Sequence, residues 1–347
     1  MKRKGGGKNG RTSTSTTRSA KSAVVRTSEH TTRLDVNGGA SGTGRSTTRK
    51  PVAPALSASR AKRAALNREK ELEALRLNQA VERQRYGARA VLPVLDGCVF
   101  VVSDQHYYPG LKPSKAHRAS LQLAEMLKPY AIISNGDAID GASISRWPVS
   151  SFVEMKGRPT VAAELGEATA RLKEYEALAS PKYLVWNLGN HDARFETRLA
   201  EKVPEYQGVD GFTLKERYPA WIPAWRTDFR EKPDGAPLVI VKHRFKGGMH
   251  AGQNNVLWTG TSVVTGHDHM LKAYAISNAH GLQWGVHAGT MAPVDSPFFT
   301  HYTEDNVVNW QQGFAILHFQ GGRFMGPELV HVTPDGVVLF RGKELKV

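Results

Sequence analysis

The stretch Val263–His269, VVTGHDH, ends an apolar run in a glycine and two histidines that flank an aspartate. Imidazole is the common neutral metal ligand and proton carrier, but one such triplet needs partners to do chemistry. The chain supplies them in series: Ser103-Asp104-Gln105-His106, Asn135-Gly136-Asp137-Ala138-Ile139-Asp140, Leu188-Gly189-Asn190-His191-Asp192, Lys242-His243 and Gly266-His267-Asp268-His269. Oxygen and imidazole donors without thiolate suit borderline divalent ions such as Mn, Fe or Zn, and not a structural zinc site or a calcium cage. The donors exceed the needs of one ion. Two ions about 3.5–4 Å apart, sharing one carboxylate with a hydroxide between them, would use them all. That arrangement serves phosphoryl chemistry, because both ions neutralise the non-bridging oxygens while the hydroxide attacks in line.

Each group of donors follows a short apolar run: Cys98–Val102, Ala131–Ile133, Tyr183–Trp186, Leu238–Val241 and Ser262–Val264. These runs are too short for helices and rich in β-branched residues, as buried strands are. Two helical stretches lie between them. Val161, Leu165, Ala168, Leu172, Tyr175 and Ala179 recur at spacings of three and four over 160–179, with Thr160 placed to cap the start. Residues 115–128 read as a second helix, closed by Pro129. The pattern is α/β, and in open α/β sheets ligand sites form past the C-terminal ends of strands.

In their order, DQH, GDAID, GNHD, a lone histidine after a strand and GHDH resemble the motifs of the calcineurin-like metallophosphoesterase superfamily over residues 98–270. GDAIDG lacks the arginine of the protein-phosphatase motif, and GNHD replaces GNHE, so the resemblance leans toward double-strand-break repair nucleases and phage-encoded members. Asn309–Phe314 is similar to the C-terminal part of phage-type members. The resemblance implies a four-layer α/β/β/α sandwich from about 93 to 347. It implies that Asp104, His106 and His269 hold one metal, that Asp137 bridges, and that Asn190, His243 and His267 complete the second site. His191 would contact the phosphate and assist the leaving oxygen, with Asp192 orienting its imidazole and Asp140 supporting the loop. His243 is followed by Arg244, where the family has glycine or histidine, so His250 competes with it as a ligand. On this pattern His267 and His269 serve different ions, and Asp268 points away. Arg194 and Arg146 are candidates to grip substrate phosphate. Trp147 and Trp310 could stack on a base or sugar, though packing roles are the simpler expectation. His287 and His301 follow the last motif and could line the cleft.

The charge is unevenly spread. Of 47 Lys+Arg and 32 Asp+Glu, 21 and 6 fall in residues 1–90, so the net +15 sits there and 26 of each remain beyond. Residues 1–58, rich in Ser, Thr, Gly, Lys and Arg, are expected to be a disordered basic tail able to meet phosphate backbones. Residues 59–92 are read as a helical linker, with good helix formers from Ser59 to about Arg85. Cys98 is the only cysteine, which excludes an intrachain disulfide and fits a reducing compartment. No apolar run reaches the roughly 18 residues of a membrane span, and no apolar region follows the basic N-terminus to make a secretory signal. The expected location is cytoplasmic, in the host cytoplasm for a phage-encoded chain, without membrane association.

The resulting expectation is a hydrolase with two divalent ions, Mn first and Fe or Zn as alternatives, acting as a phosphodiesterase or nuclease on nucleic acid. A phosphomonoesterase or small-nucleotide phosphodiesterase is the alternative. A nucleic-acid-binding or virion-associated protein with a vestigial metal site is the alternative of a different class.

Overall fold

The apolar run that begins the motif series alternates its faces. Cys98, Phe100 and Val102 join one buried cluster, while Val99 and Val101 join another. A strand whose successive side chains point to opposite faces, with both faces buried, must be sandwiched. The computed structural model places this strand, β2 (Gly97–Val102), inside an eight-stranded sheet and describes residues 63, 65–70, 72–73, 89–146, 156–294, 296, 303 and 306–347. The tail read over 1–58, Trp147 and His301 lie outside these residues. Of the lead-in helix read from Ser59, positions 63, 65–70 and 72–73 are helical.

In spatial order the larger sheet runs β14 (Lys343–Leu345), β13 (Val338–Phe340), β12 (Arg323–Val332), β11 (Gly313–Gln320), β2, β3 (Ala131–Asn135), β4 (Tyr183–Asn187) and β5 (Ile222–Ala224). Strands β2 to β5 are parallel, and β11 joins β2 antiparallel. The second sheet runs β1 (Arg89–Pro93), β6 (Arg226–Arg230), β7 (Val239–Lys242), β8 (Ser262–Thr265), β10 (Gly281–Ala288) and β9 (Leu271–Asn278). Val99, Val101, Ile133, Val185, Ala315 and Leu317 of the first sheet pack against Leu92, Phe229, Val239, Val241, Val264 and Val286 of the second. Each fully buried aliphatic or aromatic side chain contributes about 1.5–3 kcal/mol, so this double layer is the main apolar bond between the sheets.

Helices cover the outer faces. Helices α1 (Lys115–Leu127) and α2 (Val161–Glu176) bury Leu123, Leu165, Leu172 and Tyr175 against the larger sheet with Phe100, Ile132, Trp186 and Phe314. Thr160 accepts from Ala163 N at 3.2 Å and caps α2, and Ser114 caps α1 in the same way. Helices α3 (Ala193–Lys202) and α4 (Leu214–Arg217) follow β4. Helix α5 (Ala251–Thr259) buries Ala251, Gly252, Asn255 and Val256 against β10, β8 and β9. The layers are therefore helix, sheet, sheet, helix, the four-layer sandwich. The five strands read from the sequence are β2, β3, β4, β7 and β8.

The six-stranded sheet begins at Arg89, four residues before the boundary of 93 read from the sequence. The reason is local. β1 is an edge strand of five residues with alternating exposure that ends in proline, and proline is tolerated at a sheet edge. Among the described residues no helix is long and apolar enough to cross a membrane.

Candidate metal centre

Parallel strands deliver their C-terminal ends to one edge. Here β2, β3 and β4 of one sheet and β7 and β8 of the other end at the same place, fastened by buried polar groups. Asn187 Nδ2 donates to Asn135 Oδ1 (3.0 Å) and to Val241 O (3.1 Å), and Thr227 Oγ1 donates to Asn187 Oδ1 (2.8 Å). The loop after β2 is zipped to the loop after β3 by Asp104 N to Gly136 O, His106 N to Asp137 O and Tyr107 N to Ala138 O, each 2.9 Å.

Two donor clusters result, each drawing on both sheets. In the first, Asp104, His106 and His269 bring one ligand atom apiece within 4.8 Å of one another; in the second, Asp137, His243 and His267 do the same. Asp104 Oδ1 lies 3.1 Å from His269 Nε2, and its carboxylate accepts from Ser103 Oγ (2.6 Å) and from His267 N (2.9 and 3.1 Å). Asp137 Oδ2 lies 3.1 Å from His243 Nε2, and its Oδ1 accepts from His191 N at 2.8 Å. A third group, His106, Asp140 and His191, adjoins the first through His106. His243 stands in the second cluster, whereas His250 is exposed at the start of α5.

The backbone is bent to reach this arrangement. Asp104 (φ 53°), His106 (φ 43°), Asp137 (φ 53°), His267 (φ 74°) and His269 (φ 58°) all sit in the left-handed region, which costs a residue with a Cβ of order 1–3 kcal/mol. Gly189 and Gly266 answer a different need. A Cβ on Gly189 would enter the Asp137 carboxylate, and one on Gly266 would enter Ser103 Oγ.

The donors fit divalent cations on structural grounds. His243 Nδ1 is 2.7 Å from the Asn135 carbonyl, which can only accept, so Nδ1 carries a hydrogen and Nε2 is the atom turned toward Asp137 Oδ2. That nitrogen is buried and faces the carboxylate oxygen at 3.1 Å. Asn190 Oδ1 is also buried and meets no donor among the described residues. An imidazole nitrogen facing a carboxylate at this distance calls for a proton or a cation between them. The electrostatics agree. Burial opposes ionisation of Asp104, but the charges of His243 and His269 outweigh it and hold the carboxyl down at about 2. Burial likewise disfavours charge on His243, yet Asp137 and Asp104 push it up to about 10.

His191 Nδ1 is 2.7 Å from Asp140 O and 3.2 Å from Asp140 Oδ1, and His106 Nδ1 is also 3.2 Å from Asp140 Oδ1. Asp140 is thus the residue that orients His191, and the role read for Asp192 is corrected. The fully buried Asp192 carboxylate accepts from Asp137 N (2.8 Å), Ala138 N (2.9 Å), Ile139 N (3.2 Å), Gly189 N (2.8 Å) and Trp186 Nε1 (3.0 Å). It ties the Asp137 loop to the loop after β4, and its geometry leaves no bond to the His191 ring. Arg194 lies at the site: Nη1 donates to Asp140 O (2.8 Å), and Nη2 is 3.3 Å from His191 Nε2. Arg146 is exposed, past the 3-10 turn Ala142–Ile144. Trp310 packs edge-on to His269, with centroids 4.8 Å apart. Gln311 N donates to His269 O, fastening that loop to the Asn309–Phe314 segment. Asp268 turns from the clusters to His287 Nδ1, 2.6 Å away.

Sequence reading missed Glu164. This residue of α2 is fully buried, and its Oε1 accepts from Ala142 N at 3.1 Å, beneath the Asp140 loop. The signal was a glutamate one residue from Leu165 and four from Ala168, inside the apolar stripe. Burial, augmented by Asp140 and opposed by the Ala142 N–H, pushes its carboxyl up to about 7.

No family model matches the chain. The Gene 54 protein of Mycobacterium phage L5 is 25% identical over 232 residues, covering 59% of this chain and 83% of that protein. Vps29 of Entamoeba histolytica, solved in complex with zinc, is similar in structure at 13% identity, with 70% of this chain and 96% of that chain covered and a TM-score of 0.37. A metallophosphoesterase from Sphaerobacter thermophilus is similar at 13% identity, 67% and 88% coverage and a TM-score of 0.35.

Two outcomes are expected. Asp192→Ala strips the acceptor from four backbone N–H groups and an indole, at about 1–3 kcal/mol for each donor left buried. It should lower the thermal midpoint and the bound-metal content measured by mass spectrometry together; retention of full metal content would return Asp192 to an orienting role. For Glu164, the folded state favours the protonated form, so its contribution to stability is full below the ordinary value of 4.5 and is lost as pH rises through about 7. Urea midpoints of Glu164→Gln relative to the parent should therefore improve across that window and level off above it.

Proposed function

We propose that this chain, a phosphoric ester hydrolase with the fold and site layout of the calcineurin-like metallophosphoesterases, is a two-metal phosphodiesterase acting on nucleic acid. The observation that carries the reading is the pair of cross-sheet clusters, with His243 Nε2 aimed at Asp137 and a buried Asn190 Oδ1 one residue before His191, whose N–H donates to that same carboxylate. Asp104, His106 and His269 would hold one ion and Asn190, His243 and His267 the other, with Asp137 serving both. When bound, a pair of divalent ions supplies Lewis-acid neutralisation of phosphate charge and activates water at neutral pH. Manganese is the ion we favour, with iron or zinc as alternatives, because the donor set combines oxygen with imidazole and has no thiolate.

The chain's own residues do the rest. His191 keeps Nδ1 engaged by Asp140, which leaves Nε2, 3.9 Å from Asp137 Oδ2, as the atom that handles a proton. Burial works against charge on His191, but Asp137 and Asp140 outweigh it and raise its pKa, which suits donation to a departing oxygen. Arg194, fixed beside that nitrogen, is placed to grip a phosphate oxygen. Nucleic acid as substrate is supported by the net +15 of the first ninety residues, a sequence-independent source of affinity for phosphate backbones. The balanced charge beyond position 90 favours the second reading, a phosphomonoesterase or small-nucleotide phosphodiesterase for which the tail is only an address.

The test is hydrolysis of bis-p-nitrophenyl phosphate, p-nitrophenyl phosphate and single- and double-stranded DNA with Mn, Zn or Mg. Diester and DNA cleavage that chelator abolishes, Mn restores and Asp137→Ala removes is the expected result. Turnover of the monoester alone would establish the second reading. His191→Ala should lose turnover by about 10²–10⁴-fold while keeping near-parental metal content; loss of metal in that variant would overturn the role of His191.

A further inference from the structure

The chain leaves the site through Lys242-His243-Arg244-Phe245-Lys246-Gly247-Gly248-Met249, and this exit has a composition no buried loop needs. Three cations stand within five residues, and Arg244 and Lys246 are exposed. Phe245 is 40% exposed and Met249 73%. Opposite them, Trp258 of α5 is 71% exposed and its neighbour Leu257 66%. Isolated exposed apolar residues need no explanation, but here aromatic rings and cations are interleaved. Lys246 Nζ lies 3.4 Å from the Trp258 ring centroid, and Lys242 Nζ lies 5.7 Å from that of Phe245.

This surface is held in place. The fully buried Asn255 clamps the loop at one residue: its Oδ1 accepts from Lys246 N (3.1 Å) and its Nδ2 donates to Lys246 O (3.3 Å). Helix α5 in turn sits hard on β10, where a Cβ on Gly285 would run into the Gly252 backbone. A buried amide is thus committed to fixing an exposed loop against an exposed indole. The loop also begins at a residue of the second cluster. Lys246 follows His243 by three positions, so their Cα atoms are at most about 11 Å apart.

We propose that Arg244, Phe245, Lys246 and Trp258 form a binding platform for single-stranded nucleic acid at the mouth of the site, the indole stacking on a base and the cations meeting the flanking phosphates. The proposal rests on the nucleic-acid reading above and deepens it to a strand form. Ring faces that stack on any base, set among cations that follow the backbone, are how proteins hold single strands without reading sequence. The position of the patch, three residues from a candidate metal ligand, favours a polymeric substrate over an anionic membrane as its occupant.

The test uses the full chain and its Trp258→Ala and Lys246→Ala variants in chelator, so that binding is read whether or not the site hydrolyses anything. The probe is a single-stranded oligonucleotide carrying 2-aminopurine, whose fluorescence falls when the base stacks, followed alongside anisotropy across a salt series. The parent should quench the probe. Trp258→Ala should abolish the quenching and weaken affinity on the order of tenfold, while Lys246→Ala should lower the salt slope by about 0.7. The quenching reads stacking separately from any affinity contributed by the basic N-terminal residues, and both side chains are exposed, so neither variant threatens the fold. Unchanged quenching and affinity in Trp258→Ala would overturn the platform. Selective loss of binding to phosphatidylserine vesicles, with the oligonucleotide unaffected, would overturn it in favour of a membrane surface. If the parent hydrolyses no diester with any metal, the enzyme reading falls, and the binding comparison still decides the platform.

Discussion

Two carboxylates, Asp104 and Asp137, stay ionised close together in the interior, and the architecture follows from tolerating that. Each carboxylate opposes the ionisation of its neighbour, as Asp137 does that of Asp104, and removal from water adds to the cost. Each carboxylate therefore faces an imidazole at 3.1 Å and takes backbone N–H bonds, Asp104 from His267 and Asp137 from His191. Those partners lie on loops that follow three strands, β4 of one sheet and β7 and β8 of the other. Such loops converge only if strand ends are level, and the Asn135–Asn187–Thr227 network levels them.

The level edge is reached at the expense of local backbone comfort. Among the described residues, seven that are not glycine have positive φ, and five of them are site aspartates or histidines. Strain concentrated in this way persists because the surroundings over-determine it. Asp192 shows how: one carboxylate gathers five N–H donors from two loops and a tryptophan, so neither loop relaxes independently. A rigid frame of this kind suits chemistry in which charge develops at fixed points.

Much of this was legible in the sequence, for reasons that can be stated residue by residue. The buried parallel strands are continuous apolar runs, and the donors follow them directly, so strand position and site position coincide. Helix α2 was legible because its stripe and its capping threonine agree. What escaped were features without a periodic or local signal. β1 is five residues at an edge, and β9 to β14 lie past the last motif. The left-handed φ of Asp104 or His267 leaves no mark on residue type beyond the tolerance of Asp and His for it. Asp192 was misread because adjacency in sequence suggested His191 as its partner, whereas the turn between them points the carboxylate into the protein and the imidazole outward to Asp140. Glu164 reads as a break in an apolar stripe until the loop above it is seen to need an acceptor.

Each donor cluster is divided between the sheets: Asp104 and His106 belong to the larger and His269 to the smaller, as Asp137 faces His243 and His267. Occupancy and sheet docking are then a single equilibrium. An ion that binds only the docked form stabilises it by RT ln(1 + [L]/Kd), about 2.7 kcal/mol per site at a hundredfold excess over Kd. Neither sheet alone carries either of these two clusters whole, so filling them has to wait until the long-range contacts between the sheets have formed. Bound ions would thus add to the hold that the apolar double layer already exerts between the sheets, so that filling the site would strengthen the fold as well as supply its chemistry.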